Sequence, residues 1–244
     1  MDCDSSDGDS KINDDDQNVY RSVVGSLLQL VKHSRPDISN AVRELSKCMD
    51  GATPTEIKDL RRLLRFISNK KDYGLKVEPL YPNNNKWTMR LYSDSDWGVD
   101  KNNRHSISGY VLFLMNVPIL WKSKMQRIVS LSSSEAKYYA LAEAAKDIKF
   151  IVQILESIGI IIQKPIIVHV DDVSAIFITE NASATARTKH VDIRYHYVRE
   201  FIMNGFIKII FVKSDQNKSD IFTKNVSNEI YEKQKDSFIK QQYY

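Results

Sequence analysis

The chain is poor in cysteine, has no long apolar run, and begins with hardly any basic charge. Its two cysteines, Cys3 and Cys48, make neither a zinc-ligand spacing nor a disulfide framework. Cys3 lies in an acidic stretch, so an intracellular, reducing compartment is expected, cytoplasmic or nuclear. No apolar run approaches the length of a membrane span, so no membrane partner is expected. The opening Met-Asp-Cys-Asp lacks both the basic and the apolar region of a signal peptide.

What is present is a chain of 244 residues, 42% of them hydrophobic, which suits one large domain or one domain with a smaller appendage. A net charge of +4 permits nucleic-acid binding without requiring it. The charge is uneven. Asp2, Asp4, Asp7, Asp9, Asp14, Asp15 and Asp16 stand against the single Lys11, so the remainder is more basic than the total.

Residues 1–18 have almost nothing to bury and read as a disordered acidic tail. Residues 19–76 read as helical. Val24, Leu27, Leu28 and Val31 form one stripe, Ser34-Arg-Pro-Asp37 interrupts it, and Ile38, Val42, Leu45 and Met49 form a second. Thr53-Pro-Thr-Glu56 is a capping box that opens a third helix, with Pro54 at its first position. Arg61, Arg62 and Arg65 on that helix could follow a phosphate backbone or simply form a solvated face. Residues 77–85 are a linker rich in proline and asparagine.

Residues 86–226 change character. Trp87, Met89 and Leu91 alternate with polar residues as in a half-buried strand, which runs into Asp94 and Asp96 and ends at Gly98. Ile107–Asn116, Ile119–Trp121 and Ile128–Leu131 follow as short strands of an antiparallel meander. Ser132, with Glu135 three residues on, caps a long helix that Gly159 ends. Pro165–Val170 is a buried strand that ends in Asp171-Asp172. Ser174–Thr179 reads as helical, as does the segment around Ile193, Tyr197 and Phe201, and Phe206–Val212 is a last strand. Residues 227–244 read as a polar tail. The expected fold class is α/β, a mixed five-stranded sheet flanked by helices behind a small helical subdomain.

Carboxylates at strand ends are poorly placed for a core and well placed for a hard cation. If the strands of Asp94 and Asp171 are neighbours, both acids meet at one rim of the sheet. Such a cluster suits Mg²⁺. An acidic turn is the alternative, since aspartate also serves local hydrogen bonding.

The order and spacing of several segments carry more weight than any one of them. Tyr92-Ser-Asp-Ser-Asp-Trp-Gly98, Ser108-Gly-Tyr-Val111, Leu131-Ser-Ser-Ser-Glu-Ala136, Asp171 with Ser174-Ala-Ile176, Arg187-Thr-Lys-His-Val-Asp-Ile-Arg-Tyr-His196 and Ser219-Asp-Ile-Phe-Thr-Lys224 together resemble the ribonuclease H domain of copia-type LTR retrotransposon Pol polyproteins. Tyr20-Arg-Ser-Val-Val-Gly-Ser26, Arg35-Pro-Asp-Ile38 and Lys71-Asp-Tyr-Gly-Leu75 resemble the end of the family's reverse transcriptase and the connection after it.

The resemblance implies a ribonuclease H-like fold and hydrolysis of the RNA strand of an RNA–DNA hybrid. It implies two Mg²⁺ ions, or Mn²⁺, held by Asp94, Asp171 and Asp220, with Asp96 in reserve for the first place. The polymerase part of the polyprotein would be a partner. At the position of the family's second carboxylate this chain has Lys137, a reversed charge in a site that needs negative charge. Glu135, two helix positions away, points about 200° around the axis and caps the helix instead. A domain with impaired hydrolysis is therefore expected, with a hybrid-binding or scaffold domain without hydrolysis, or a decayed element fragment, as the alternatives. His169-Val-Asp-Asp172 imitates a polymerase metal motif, but a helix follows it and no palm precedes it, so no polymerase activity is expected. His190 could relay protons or hold a loop. Arg187, Lys189 and Arg194 could contact phosphates or form a solvated loop.

Overall fold

The structure, a computed structural model, describes residues 11–81, 86–100, 102–172 and 189–242. The chain forms two units, one made of the chain up to Lys76 together with the segment from Ser227 onward, the other of Val77–Val226. Among the described residues no helix is long and apolar enough to cross a membrane.

The first unit holds helices α1 (Asp14–His33), α2 (Ser39–Ser46) and α3 (Pro54–Asn69). Asn13 caps α1 through a bond from the Asp16 amide, and three aspartates occupy its first turn, where the helix dipole favours negative charge. The acidic tail therefore does not extend to residue 18, because capping turns its last aspartates into a helix start. Proline places a 3₁₀ turn, Pro36–Ile38, between α1 and α2. The Thr53–Glu56 capping box opens α3 as its sequence requires. Tyr20, Val24, Leu27, Ile38, Val42, Leu45, Leu60 and Leu63 form the core.

Two features of this unit differ from the sequence reading. Tyr73–Leu75 is a strand, β1, where the helical pattern was expected to continue. Its partner is β7 (Ile239–Gln241), which follows helix α6 (Asn228–Lys235), so the final segment belongs to this unit and is not a free polar tail. Phe238 and Ile239 are fully buried, and Tyr231 donates to Asp37, which is also bound by Arg35 at 2.8 Å. The polar appearance of 227–244 hid two core residues and the hydrogen bond from Tyr231 to Asp37.

The second unit is built on β2 (Met89–Asp96), β3 (Ile107–Leu114), β4 (Val117–Met125), β5 (Ile166–Val170) and β6 (Ile207–Phe211), in the order β4-β3-β2-β5-β6. The β2–β3 and β3–β4 pairs are antiparallel, while β2–β5 and β5–β6 are parallel. This is the expected ribonuclease H-like mixed sheet. Helices α4 (Ser133–Ser157) and α5 (Lys189–Met203) supply its covering layer. Leu141, Ala144, Ala145 and Ile148 of α4 meet Leu91, Leu112 and Val168 of the strands. The run of small alanines on α4 lets the helix approach the sheet closely. Residues 128–131 are not a strand, because the antiparallel partner of β3 runs from Val117 to Met125 and already fills that edge. The expected helix at 174–179 lies outside the described residues, as does Cys3.

Candidate active site

β2 and β5 run parallel with Tyr92 opposite His169, and β5 stops at Val170. Asp171 therefore leaves the sheet beside Asp94. Asp220 arrives on a 3₁₀ turn, Asp220–Phe222, that packs on β3. Gly109, in register with Asp94, makes that packing possible. A Cβ at Gly109 would stand 2.5 Å from Thr223 Cγ2 and 2.9 Å from Phe222 Cβ. Asn217 anchors the same turn by donating to the Ser93 carbonyl at 3.1 Å. Thr223 Oγ1 then donates to Asp94 Oδ2 at 2.6 Å.

The result is one oxygen from each of Asp94, Asp171 and Asp220, all within 4.8 Å of one another. Asp96 and Asp172 are outside this group. The side chains of the three aspartates are almost wholly enclosed, at 2%, 4% and 4% exposure. β2 is covered on both faces, so the Asp94 face is not the open polar face that alternation suggested; the Asp220 turn closes it.

Two lysines stand among the acids. Lys137 Nζ donates to Asp171 Oδ1 at 2.6 Å and lies 3.7 Å from Asp94 Oδ1. Lys224 Nζ lies 2.8 Å from Asp220 Oδ2 and 3.9 Å from Asp94 Oδ2. Lys224 was missed as a site residue, although its place four residues after Asp220 was a visible signal. Ser214, donating to Asp171 Oδ2 at 2.7 Å, had no such signal.

The electrostatics follow from burial and these pairs. Burial, then the negative charge of Asp171, pushes the Asp94 carboxyl up. Burial, then the charge of Asp94, pushes Asp220 up to about 7, against the pull of Lys224. Asp171 moves the other way: burial opposes its charged form, but hydrogen bonds from Lys137 and Ser214 outweigh it. The ammoniums of Lys137 and Lys224 are both held above the usual lysine value, since carboxylate contacts exceed the cost of burial.

The three carboxylates could together hold a metal ion. Asp220 Oδ1 is buried without a hydrogen-bond partner, an oxygen suited to a hard cation. The Lys137 ammonium stands at the Asp171 side of the cluster, 2.6 Å from Asp171 Oδ1.

Other expected site residues disperse. Lys189 and His190 open α5, and their side chains, like Arg187 altogether, fall outside the described residues. His196 is exposed. Arg194 lies over the Tyr139 ring at 4.3 Å. Glu135 bonds the Leu131 amide at 2.7 Å, a local role at the start of α4.

Strand order, strand direction and the acidic cluster at the sheet rim define a ribonuclease H-like domain. No family model matches the chain. It is 33% identical over 217 residues to the retrovirus-related Pol polyprotein from transposon RE1 of Arabidopsis thaliana, covering 89% of this chain and 14% of that protein. It is also 38% identical over 130 residues to the secreted RxLR effector protein 161 of Plasmopara viticola, covering 52% of this chain and 87% of that one. Among solved structures, LC11-RNase H1 in complex with RNA/DNA hybrid aligns at 15% identity over 60% of this chain and 98% of that chain, with a TM-score of 0.42. The chain belongs to the retrovirus-related Pol polyproteins of copia-type transposons. It spans about 14 to 16% of the length of those polyproteins.

Proposed function

We propose that residues 86–226 form an RNA–DNA hybrid-binding module of a retrotransposon Pol polyprotein, with its hydrolytic centre disabled by Lys137. The observation that carries this reading is the Lys137 ammonium 2.6 Å from Asp171. An ammonium and a divalent ion roughly 4 Å apart repel by about 8 kcal/mol at an effective dielectric near 20, twice the value for two unit charges. An ion bound with about millimolar affinity gains only about 4 kcal/mol. The repulsion therefore exceeds what such a site supplies.

The chemistry of the family's site is Mg²⁺-assisted attack of water on the RNA phosphodiester. Asp94, Asp171 and Asp220 would hold the ion. In this chain Thr223 fixes Asp94, Ser214 fixes Asp171, and the two lysines neutralise the cluster. The free Asp220 Oδ1 favours a second reading, in which residual hydrolysis persists with one ion. Polymerase activity is not part of either reading; the rest of the polyprotein would supply it as a partner, inside the cell.

The test is incubation of a labelled hybrid with Mg²⁺ or Mn²⁺, with Asp94→Asn as the blank. The expected result is binding without cleavage by the unaltered chain, and cleavage by Lys137→Glu. Metal-dependent cleavage by the unaltered chain that Asp94→Asn abolishes would overturn the proposal.

A further inference from the structure

On the α4 side of the sheet lies a groove of about 360 Å³. β3, β4, α4 and α5 line it, and its walls carry Lys122, Lys124, Arg127, Lys146 and Arg194 with Tyr110 and Tyr139. Two of these cations are already neutralised. Lys122 pairs with Asp147 at 2.7 Å and Lys146 with Glu143 at 2.8 Å. Lys124, Arg127 and Arg194 have no acidic partner among the described residues. The Arg194 guanidinium lies over the Tyr139 ring, 4.3 Å from its centre, a cation–π contact.

Three cations without an acidic partner thus open into one groove with aromatic walls, a positive surface complementary to a polyanion. We infer that this groove binds the sugar–phosphate backbone of a nucleic acid strand, through Lys124, Arg127 and Arg194. Ser95, Ser108 and Lys124 are in register across β2, β3 and β4, one step from the level of Asp94, so their side chains share the face opposite that of Asp94. With strands about 4.8 Å apart, β4 is about 10 Å across the sheet from Asp94. The groove itself needs none of the three aspartates. The inference rests on the hybrid-binding reading for its ligand class, and its residues are separate from that reading's centre.

The experiment is titration of the full chain, by fluorescence anisotropy, with a short labelled RNA–DNA hybrid and with a DNA duplex of equal length, across a salt series. The triple variant Lys124→Ala, Arg127→Ala, Arg194→Ala is compared with Lys208→Ala, an exposed lysine on the opposite edge strand. Trp fluorescence melting confirms that each variant is folded. The triple variant should lose about tenfold or more in affinity, and its log–log salt slope should fall by about one for each cation removed. Lys208→Ala should change neither. If hybrid binding survives the triple variant with an unchanged slope, the groove proposal fails and the hybrid-binding reading stands. If the unaltered chain ignores hybrid but binds duplex through these three cations, the groove stands and the reading fails. If it binds neither, both fail.

Discussion

Lys137 and Asp171 face each other at 2.6 Å across the gap between the first turns of α4 and the end of β5. The Lys137 side chain is 20% exposed and that of Asp171 4%, so the pair is largely shielded from water. It joins the cluster of three acids to an ion-pair network with Lys137 and Lys224. Several consequences can be measured. All three tryptophans, Trp87, Trp97 and Trp121, belong to the sheet unit, so their fluorescence follows that unit alone.

Lys137→Met removes the charge and keeps the bulk. Asp171 is then left buried without its cation, and Asp94 keeps only Lys224. Breaking one side of such a pair should cost about 3 kcal/mol of unfolding free energy. In the variant, Mg²⁺ should raise the melting temperature, while the unaltered chain should not respond. Equal melting curves for both proteins, with and without Mg²⁺, would show that the pair does not hold the site.

Gly109→Ala should destabilise the sheet unit by about 1–3 kcal/mol through overpacking. The added methyl meets Thr223 and Phe222, and backbone atoms of the Asp220 turn leave it no room. Thr223→Val should cost about 1–3 kcal/mol by a different route, leaving Asp94 Oδ2 without its hydroxyl donor. Denaturant midpoints by Trp fluorescence would show both losses. A neutral Gly109→Ala would mean that the turn does not pack on β3.

The pH dependence has two windows of opposite sign. Asp220 is raised to about 7, above its unfolded value near 4, so its contribution is fully present below about pH 4 and is lost as pH rises through about 7. Asp171 is lowered, so its contribution is present above about pH 4 and is lost as pH falls through its folded value. Asp220→Asn should flatten the decline between about pH 4 and 7 and leave the acid limb unchanged. Urea midpoints taken along a pH series decide this; an unchanged decline in the variant excludes Asp220 as its source.

A chain ending at Val226 loses Tyr231, Glu232, Phe238 and Ile239 from the helical unit. Tyr231 serves Asp37 at 2.9 Å and Glu232 serves Lys70 at 3.0 Å, and the two apolar residues are fully buried. The unit should lose at least about 3 kcal/mol from the apolar burial alone. Circular dichroism at helical wavelengths should show an early transition that Trp fluorescence does not. A single unchanged transition would show that the last segment is dispensable.

Elements whose signals are local could be read from the chain directly. Proline before Asp37, the Thr53–Glu56 box, Ser132 as a cap and the alternation into Asp94 each act within a few residues, so they could be read without a fold. The order of motifs also carried the family and the list of three aspartates. What these acids face emerges from long-range packing. That Lys137 bonds Asp171, that Gly109 seats the Asp220 turn and that Lys224 also stands near Asp94 depend on residues 34, 114 and 130 positions apart. The burial of Phe238 and Ile239 was hidden for the same reason: a short polar stretch has no period to show, and its partner strand lies far back in the chain. Pairing across such separations is settled by packing and by the balance of buried charge, which no window of sequence contains.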